Sequence, residues 1–195
     1  MNKYDIVIIG SGVGGLVCGG ILAREGYRVC ILEKNNQIGG SLQTFSRDKK
    51  IFDTGVHYIG GLDEGQNLYQ IFKYLEVMDT LKLERMDEDG FDKILIGDDP
   101  KEYRQAQGYE NFIRNLVDDF PEEEAGIRAY CEKIREVCSK FPLYNLRTNG
   151  LHEEKADIWG LDTYTVISSL ITNKTLQAVL VGNNALYVGR VNETP

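Results

Sequence analysis

Residues 4–40 read YDIVIIGSGVGGLVCGGILAREGYRVCILEKNNQIGG, and the rest of the chain is organised around this stretch. Ile6, Val7, Ile8 and Ile9 form a short β-branched apolar run, the pattern of a strand buried on both faces of a parallel sheet. The run stops at glycine. Gly10, Gly12 and Gly15 then follow in the order G-x-G-x-x-G. In that order the first glycine allows a tight turn, the second lets a pyrophosphate approach the backbone, and the third lets helix and strand pack closely. A helix is predicted from Gly14 to Glu25, with Leu16, Val17, Ile21 and Leu22 toward the sheet and Gly26 as its stop. Its free N–H groups and dipole favour a phosphate. A second strand, Arg28 to Leu32, delivers Glu33, and the offset 33 − 15 = 18 residues suits an acid that accepts a hydrogen bond from an adenosine ribose. Strand, glycines, helix and acid together predict a dinucleotide-binding βαβ unit. Gly14, Gly19 and Gly20 weaken the helix intrinsically, so close contact with the sheet or a cofactor is expected there.

The composition narrows the remaining classes. In 195 residues, 42% hydrophobic content is ample for a core. A net charge of −8 without a Lys/Arg cluster argues against nucleic acid as a partner. The longest apolar run, Val13 to Ala23, is shorter than the ~20 residues a membrane span needs. Asp5 and the glycine motif stand where a signal peptide would be apolar, so a cytoplasmic protein is expected. The four cysteines read as packing residues. Cys131 and Cys138, seven apart on a predicted helix, would be separated by roughly 10 Å, too far for a disulfide, and no C-x-x-C suggests a redox pair or a zinc site. No metal is expected.

Beyond Glu33 and Lys34 the sequence leaves the pattern of a plain NAD-binding unit, turning through Asn35-Asn36-Gln37 into Ile38-Gly39-Gly40-Ser41. Short strands are predicted at Leu42–Phe45 and Lys50–Phe52 around a turn at Ser46-Arg47-Asp48, followed by DTGVHYIGG at 53–61. A helix is expected from Gln66, with Leu68, Ile71, Phe72 and Leu75 on one face. Thr80–Met86 and Lys93–Ile96 read as a hairpin about the turn Asp87–Gly90. Two amphipathic helices should follow, one through Tyr109, Phe112, Ile113, Leu116 and Val117. The other starts at Pro121 with Glu122, Glu123 and Glu124 at its positive end and stops at Pro142. Asn145–Asp157 reads as a polar connection with His152 exposed. Helices are then expected at Thr163–Ile171 and Thr175–Val181, with Gly182 and Gly189 before Pro195.

The glycine motif, Glu33-Lys34, Gly39-Gly40 and above all FDTGVHYIGG at 52–61 resemble FAD-dependent oxidoreductases of the phytoene desaturase and carotenoid isomerase type, and within that group the retinol saturases. The resemblance implies an α/β fold, a Rossmann-like FAD-binding βαβ with a mixed, largely helical region after it, as part of a larger two-domain flavoprotein. Residues 1–62 would form the FAD-binding core and flavin-contacting loop, and 63–195 the start of the substrate or cap region. It implies FAD contacts at Gly10, Gly12, Val13, Gly14, Gly15, Glu33, Lys34, Gly39, Gly40, Ser41, Gly55, Val56 and His57, with His57 the candidate catalytic residue. It further implies hydride transfer to or from a carbon–carbon bond of an apolar polyene-like substrate, with NAD(P) a candidate electron donor or acceptor. Peripheral membrane contact and a homo-oligomer are candidate associations of the longer protein. Members of that family are considerably longer, so this chain is expected to be an N-terminal portion that is inactive alone. Two other readings stay open at this point: an NAD-dependent dehydrogenase, and a nucleotide-binding fragment without turnover.

Overall fold

The computed structural model describes residues 3–148 and 152–183. The chain divides into two compact units, Met1–Lys82 and Leu83–Pro195.

In the first unit, β1 (Ile6–Ile9) and β2 (Val29–Leu32) pair in parallel, from Ile6 opposite Val29 to Ile9 opposite Leu32. Parallel neighbours need a crossover, and α1 (Val13–Arg24) provides it. The helix lies on the sheet through glycines. A Cβ on Gly19 would stand 2.8 Å from Ile31 Cδ1, and one on Gly20 would stand 3.0 Å from Leu75 Cδ2, so both glycines answer to protein packing. Asp5 closes the start of the ladder, its carboxylate accepting from Arg28 Nε at 2.9 Å, Arg28 Nη2 at 2.7 Å and the Arg28 main chain at 2.9 Å.

The sheet has one covered face, which corrects the expectation of a strand buried on both. Ile6 and Ile8 are half-buried beneath α1, whereas Val7 and Ile9 on the other face are exposed, Ile9 at 89%. Cys18 is likewise exposed rather than packed, because α1 has a neighbour on its glycine side and open surface at that position. A hairpin follows, β3 (Thr44–Arg47) with β4 (Lys50–Asp53). Its turn is Asp48-Lys49, two residues later than the sequence suggested at its start. Both turn residues have positive φ, 49° and 63°, the backbone a two-residue hairpin loop requires. Phe45 and Phe52 stack across it at 5.3 Å. The helix α2 (Asn67–Tyr74) belongs to this unit. Arg24 pairs with Glu76 at 2.9 Å, and the Tyr74 hydroxyl donates to Glu25, so the end of α2 is tied to the end of α1.

In the second unit the hairpin is β5 (Asp92–Ile94) with β6 (Tyr103–Gln105), antiparallel with Ile94 opposite Tyr103. The sequence reading paired Lys93–Ile96 with Thr80–Met86 instead. Ile94 and Tyr103 are both buried, so this pairing sends two apolar side chains into the core. The 81–86 segment carries no strand, and Gln107 holds its end, Nε2 donating to Met86 O at 2.7 Å. Among the described residues four α-helices follow in this unit: α3 (Tyr109–Asp119), α4 (Glu124–Ser139), α5 (Thr163–Leu170) and α6 (Lys174–Leu180). Their core includes Ile113, Leu116, Phe120, Ile127, Cys131, Ile167, Ile171, Leu176 and Val179. The helices fall where apolar periodicity placed them. Glu123 does not face its own helix end. It is buried, and its Oε1 accepts from Thr172 N, Thr172 Oγ1 and Asn173 N at 2.9, 2.6 and 2.5 Å, capping the turn into α6. Asp162 and Asn173 cap α5 and α6 directly, as their side chains predict. The side chain of His152, and Gly189 and Pro195, lie outside the described residues.

Candidate functional site

The turn between β1 and α1 is built from three glycines with three different surroundings. Gly10 takes φ 98°, a region open to glycine and costly for any residue with a Cβ, and its N–H donates to Leu32 O at 2.7 Å before the chain leaves the sheet. Gly15 has no room at all: a Cβ would meet the Gly10 carbonyl oxygen at 2.2 Å. Gly12 is the opposite case, with φ −66° and nothing within 4 Å of a Cβ, and Gly14 is equally open. The glycine at 15 therefore serves helix packing, and those at 12 and 14 leave bare backbone facing space. The first N–H groups of α1 lack acceptors within the helix, as in every helix, so this space is bordered by donors.

Ser11 turns the other way. It is 1% exposed. Its N–H donates to Glu33 Oε2 at 3.0 Å and its hydroxyl donates to the same oxygen at 2.6 Å. The Gly39 N–H donates to both Ser11 O at 3.0 Å and Ser11 Oγ at 3.2 Å. Asn35 N–H donates to Glu33 Oε1 at 2.9 Å. Three hydrogen bonds donated to one carboxylate favour its charged form. The Ser11 hydroxyl foremost, then the Asn35 and Ser11 N–H groups, hold Glu33 down to about 2. Glu33 is thus an anion throughout the physiological range, half-buried and fixed at the end of β2.

The 39–43 loop closes over this arrangement. Gly39 is buried with φ 111°, and Gly40 has φ 57°. A Cβ on Gly40 would lie 3.0 Å from Gly12 Cα, so this loop touches the glycine turn itself. Thr54 N–H donates to Gln43 O at 3.0 Å, and a Cβ on Gly55 would lie 3.1 Å from Ser41 Cβ, which brings the 53–55 segment against the same loop. The structure therefore gathers Gly10, Gly12, Gly14, Gly15, Glu33, Gly39, Gly40, Ser41 and Gly55 into one connected site. Val13, Lys34, Val56 and His57 are exposed. His57 makes no hydrogen bond to Asp53, the partner that would have made it a loop anchor.

Sequence reasoning missed Ser11. A small polar side chain between the first two glycines, directly after a strand whose neighbour ends in an acid, is the signal that finds it. In the second unit, the groove lined by Glu110, Ile113, Arg114 and Arg128 offers no comparable chemistry. Its cations are already engaged, Arg114 with Asp89 at 2.8 Å and Arg128 with Glu124 at 2.9 Å. Among the described residues no His, Cys, Asp and Glu group could hold a metal ion, and no helix is long and apolar enough to cross a membrane.

Comparison with known proteins matches residues 8–75 to the NAD(P)-binding Rossmann-like domain. All-trans-retinol 13,14-reductase of Homo sapiens is 37% identical over 148 residues, 72% of this chain and 23% of that protein. Prolycopene isomerase 2, chloroplastic, of an Oncidium hybrid cultivar is 37% identical over 74% of this chain and 25% of its own length. A protein named inactive all-trans-retinol 13,14-reductase, of Danio rerio, is 33% identical over 71% of this chain and 23% of that protein. The chain spans about a quarter of the length of the curated relatives it matches. Among solved structures, a putrescine oxidase double mutant redesigned for cofactor binding shares the fold over 91% of this chain and 36% of that one, with a TM-score of 0.51 and 15% identity. Over these spans the chain is similar to the retinol 13,14-reductases and prolycopene isomerases, and its fold is mixed α/β with a Rossmann-like unit over residues 8–75.

Proposed function

We propose that this chain is the dinucleotide-holding portion of a flavin-dependent oxidoreductase that moves a hydride to or from a carbon–carbon bond of an apolar, polyene-like molecule, with FAD as its cofactor. The observation that carries the reading is the clasp of Ser11, Glu33 and Gly39 beside the open backbone of Gly12. An adenosine ribose suits the ionised Glu33, a pyrophosphate suits the bare backbone at Gly12 and Gly14, and the 39–43 loop, with Gly40 against Gly12 and Gly55 against Ser41, adds a further glycine-rich border to the same site. FAD supplies the hydride chemistry when bound. This chain's residues bind, orient and exclude water: the amides after Gly12 border the anion, Glu33 fixes the ribose, and the glycine-rich loops bring backbone close. His57 is the candidate to hold or move a proton at the substrate carbon. NAD(P) as electron partner, a cytoplasmic location, peripheral membrane contact and a homo-oligomer of the longer protein belong to the same proposal.

A second reading, an NAD(P)-dependent dehydrogenase, draws on the description of the matching domain. The 39–43 loop folded against Gly12 weighs against it, since a plain nicotinamide-binding βαβ continues at once into another helix and strand. Absorbance of the purified protein, with FAD added back after removal of bound nucleotide, separates the two. Two visible bands at one flavin per chain are expected. A protein that takes up no flavin but binds NADH would overturn the FAD assignment.

A further inference from the structure

Among the described residues Ser11 is the one buried polar side chain of the first unit, and every polar atom it has is engaged. The two bonds it gives to Glu33 are not equivalent to mere support. A carboxylate oxygen offers about two acceptor positions. Oε2 uses both on the Ser11 N–H and hydroxyl, while Oε1 accepts only from Asn35 N–H. The carboxylate therefore keeps one free acceptor position, on Oε1, with its plane fixed from both ends. We propose that Ser11 is a positioning residue that sets the orientation and acceptor capacity of Glu33, so that a single ribose hydroxyl is read at Oε1. This rests on the reading of the site as dinucleotide-binding.

The geometry separates this role from folding. Without the hydroxyl, Ser11 N–H still reaches Glu33, and Gly39 N–H still reaches the Ser11 carbonyl at 3.0 Å, so neither β2 nor the loop loses its last tie. What is lost is the shortest bond to the carboxylate and the filling of Oε2. Glu33 then has two free acceptor positions and freedom to rotate. Selectivity for the hydroxyl should fall while the phosphate part of binding persists.

The test is binding of FAD, ADP and 2′-deoxy-ADP to the full chain and to Ser11→Ala, Ser11→Cys, Glu33→Gln and the Ser11→Ala/Glu33→Gln double variant. The wild type should prefer ADP over 2′-deoxy-ADP by about tenfold, the worth of one hydrogen bond to a charged group. Ser11→Ala should bring that ratio to about one. Ser11→Cys, which keeps the shape and a weaker donor, should fall between. In the Glu33→Gln background Ser11→Ala should cost little more, because its effect runs through the carboxylate. Removing the hydroxyl should also move the acid limit of ADP binding upward, since the charged form of Glu33 has lost its main support. A wild-type ratio and acid limit in Ser11→Ala would overturn the positioning role alone, and if that variant does not fold, a wild-type ratio in Ser11→Cys does so. Wild-type chain that binds neither FAD nor ADP would overturn the dinucleotide reading and this inference with it.

Discussion

Replacing Gly12 and Gly15 separately by alanine divides cofactor contact from folding, because the same small change meets opposite surroundings three residues apart. At Gly15 the new Cβ meets the Gly10 carbonyl oxygen at 2.2 Å, with Gly10 C at 3.3 Å and Ile8 Cγ2 at 3.5 Å. Moving that contact from 2.2 Å to the 3.0 Å below which such approaches essentially do not occur takes a shift of 0.8 Å. No flexible side chain can yield; the clash is with backbone at the end of β1. Helix and strand must separate, which also loosens Gly19 on Ile31. Overpacking of this kind costs on the order of 3 kcal/mol. For a unit of this size that corresponds to a fall of roughly 10 °C or more in Tm.

At Gly12 the φ of −66° suits alanine and nothing lies within 4 Å. The loss in capping quality and the gain from a stiffer unfolded chain nearly cancel, leaving stability within about 0.5 kcal/mol. Yet the methyl occupies the space a pyrophosphate needs, and losing charge-assisted bonds to it should weaken FAD by about a hundredfold. Thermal unfolding with hydrogen exchange at residues 6–32 reads the first effect, and flavin fluorescence titration the second. A Gly15→Ala protein as stable as wild type would refute the close approach, and a Gly12→Ala protein with wild-type FAD affinity would refute the placement of the pyrophosphate.

Other expectations follow from the same geometry. Asp5 and Glu33 are both held at about 2, Asp5 by its bonds to the Arg28 guanidinium and main chain and Glu33 by the Ser11 hydroxyl first. Depressed carboxyls stabilise the fold above their ordinary values of 3.8 and 4.5, and that contribution is lost as pH falls toward 2. Urea midpoints should therefore drop through this window, and Asp5→Asn should flatten the slope; parallel slopes in variant and wild type would contradict the linkage. Gly126→Ala puts a Cβ 2.3 Å from Leu170 O and 2.8 Å from Ile171 Cδ1, so it should destabilise the packing of α4 on α5 by about 2 kcal/mol or more, checked by denaturant unfolding. His57→Gln should leave Tm and FAD binding unchanged, since His57 is exposed and anchors nothing. If it hands a proton to the substrate carbon, turnover falls about a hundredfold or more with flavin reduction unaffected, whereas unchanged turnover from about pH 6 to 8 removes it from the catalytic set.

The fold was legible in the sequence where local chemistry and tertiary packing agree. G-x-G-x-x-G places the turn because φ 98° at Gly10 and the 2.2 Å approach at Gly15 both demand glycine. The stripe from Ile127 through Cys131 to Cys138 places α4 because a helix with that face must bury it. Misreadings fall where several partners compete. Thr80–Met86 alternates like a strand, but the core accepts Ile94 and Tyr103 as a pair, and β5 takes β6 instead. Glu123 sits at a helix start, yet its carboxylate is spent on Thr172 and Asn173 nearly fifty residues away, a contact no local pattern contains. Ser11 is the instructive case in the site. Serine between two glycines reads as turn filler until Glu33 and Gly39 are seen on its hydroxyl.

That clasp also bounds what likeness to relatives conveys. The Danio rerio protein named inactive matches this chain at 33% identity over 71% of its length, almost the span matched by the human reductase at 37% over 72%. Similarity across this stretch therefore does not distinguish a protein that turns over from one that does not. The physical reason lies in what the stretch contains. Glycine turns, an oriented carboxylate and a loop closed on the backbone suit the proposed nucleotide holding, and holding is needed equally by a working flavoprotein and by one that binds without reacting. Turnover needs in addition a placed substrate and a proton path, for which His57, exposed and without a hydrogen bond to Asp53, is the proposed candidate. The Gly12 and Ser11 variants thus report on binding, and His57→Gln is the one substitution here whose outcome bears on chemistry.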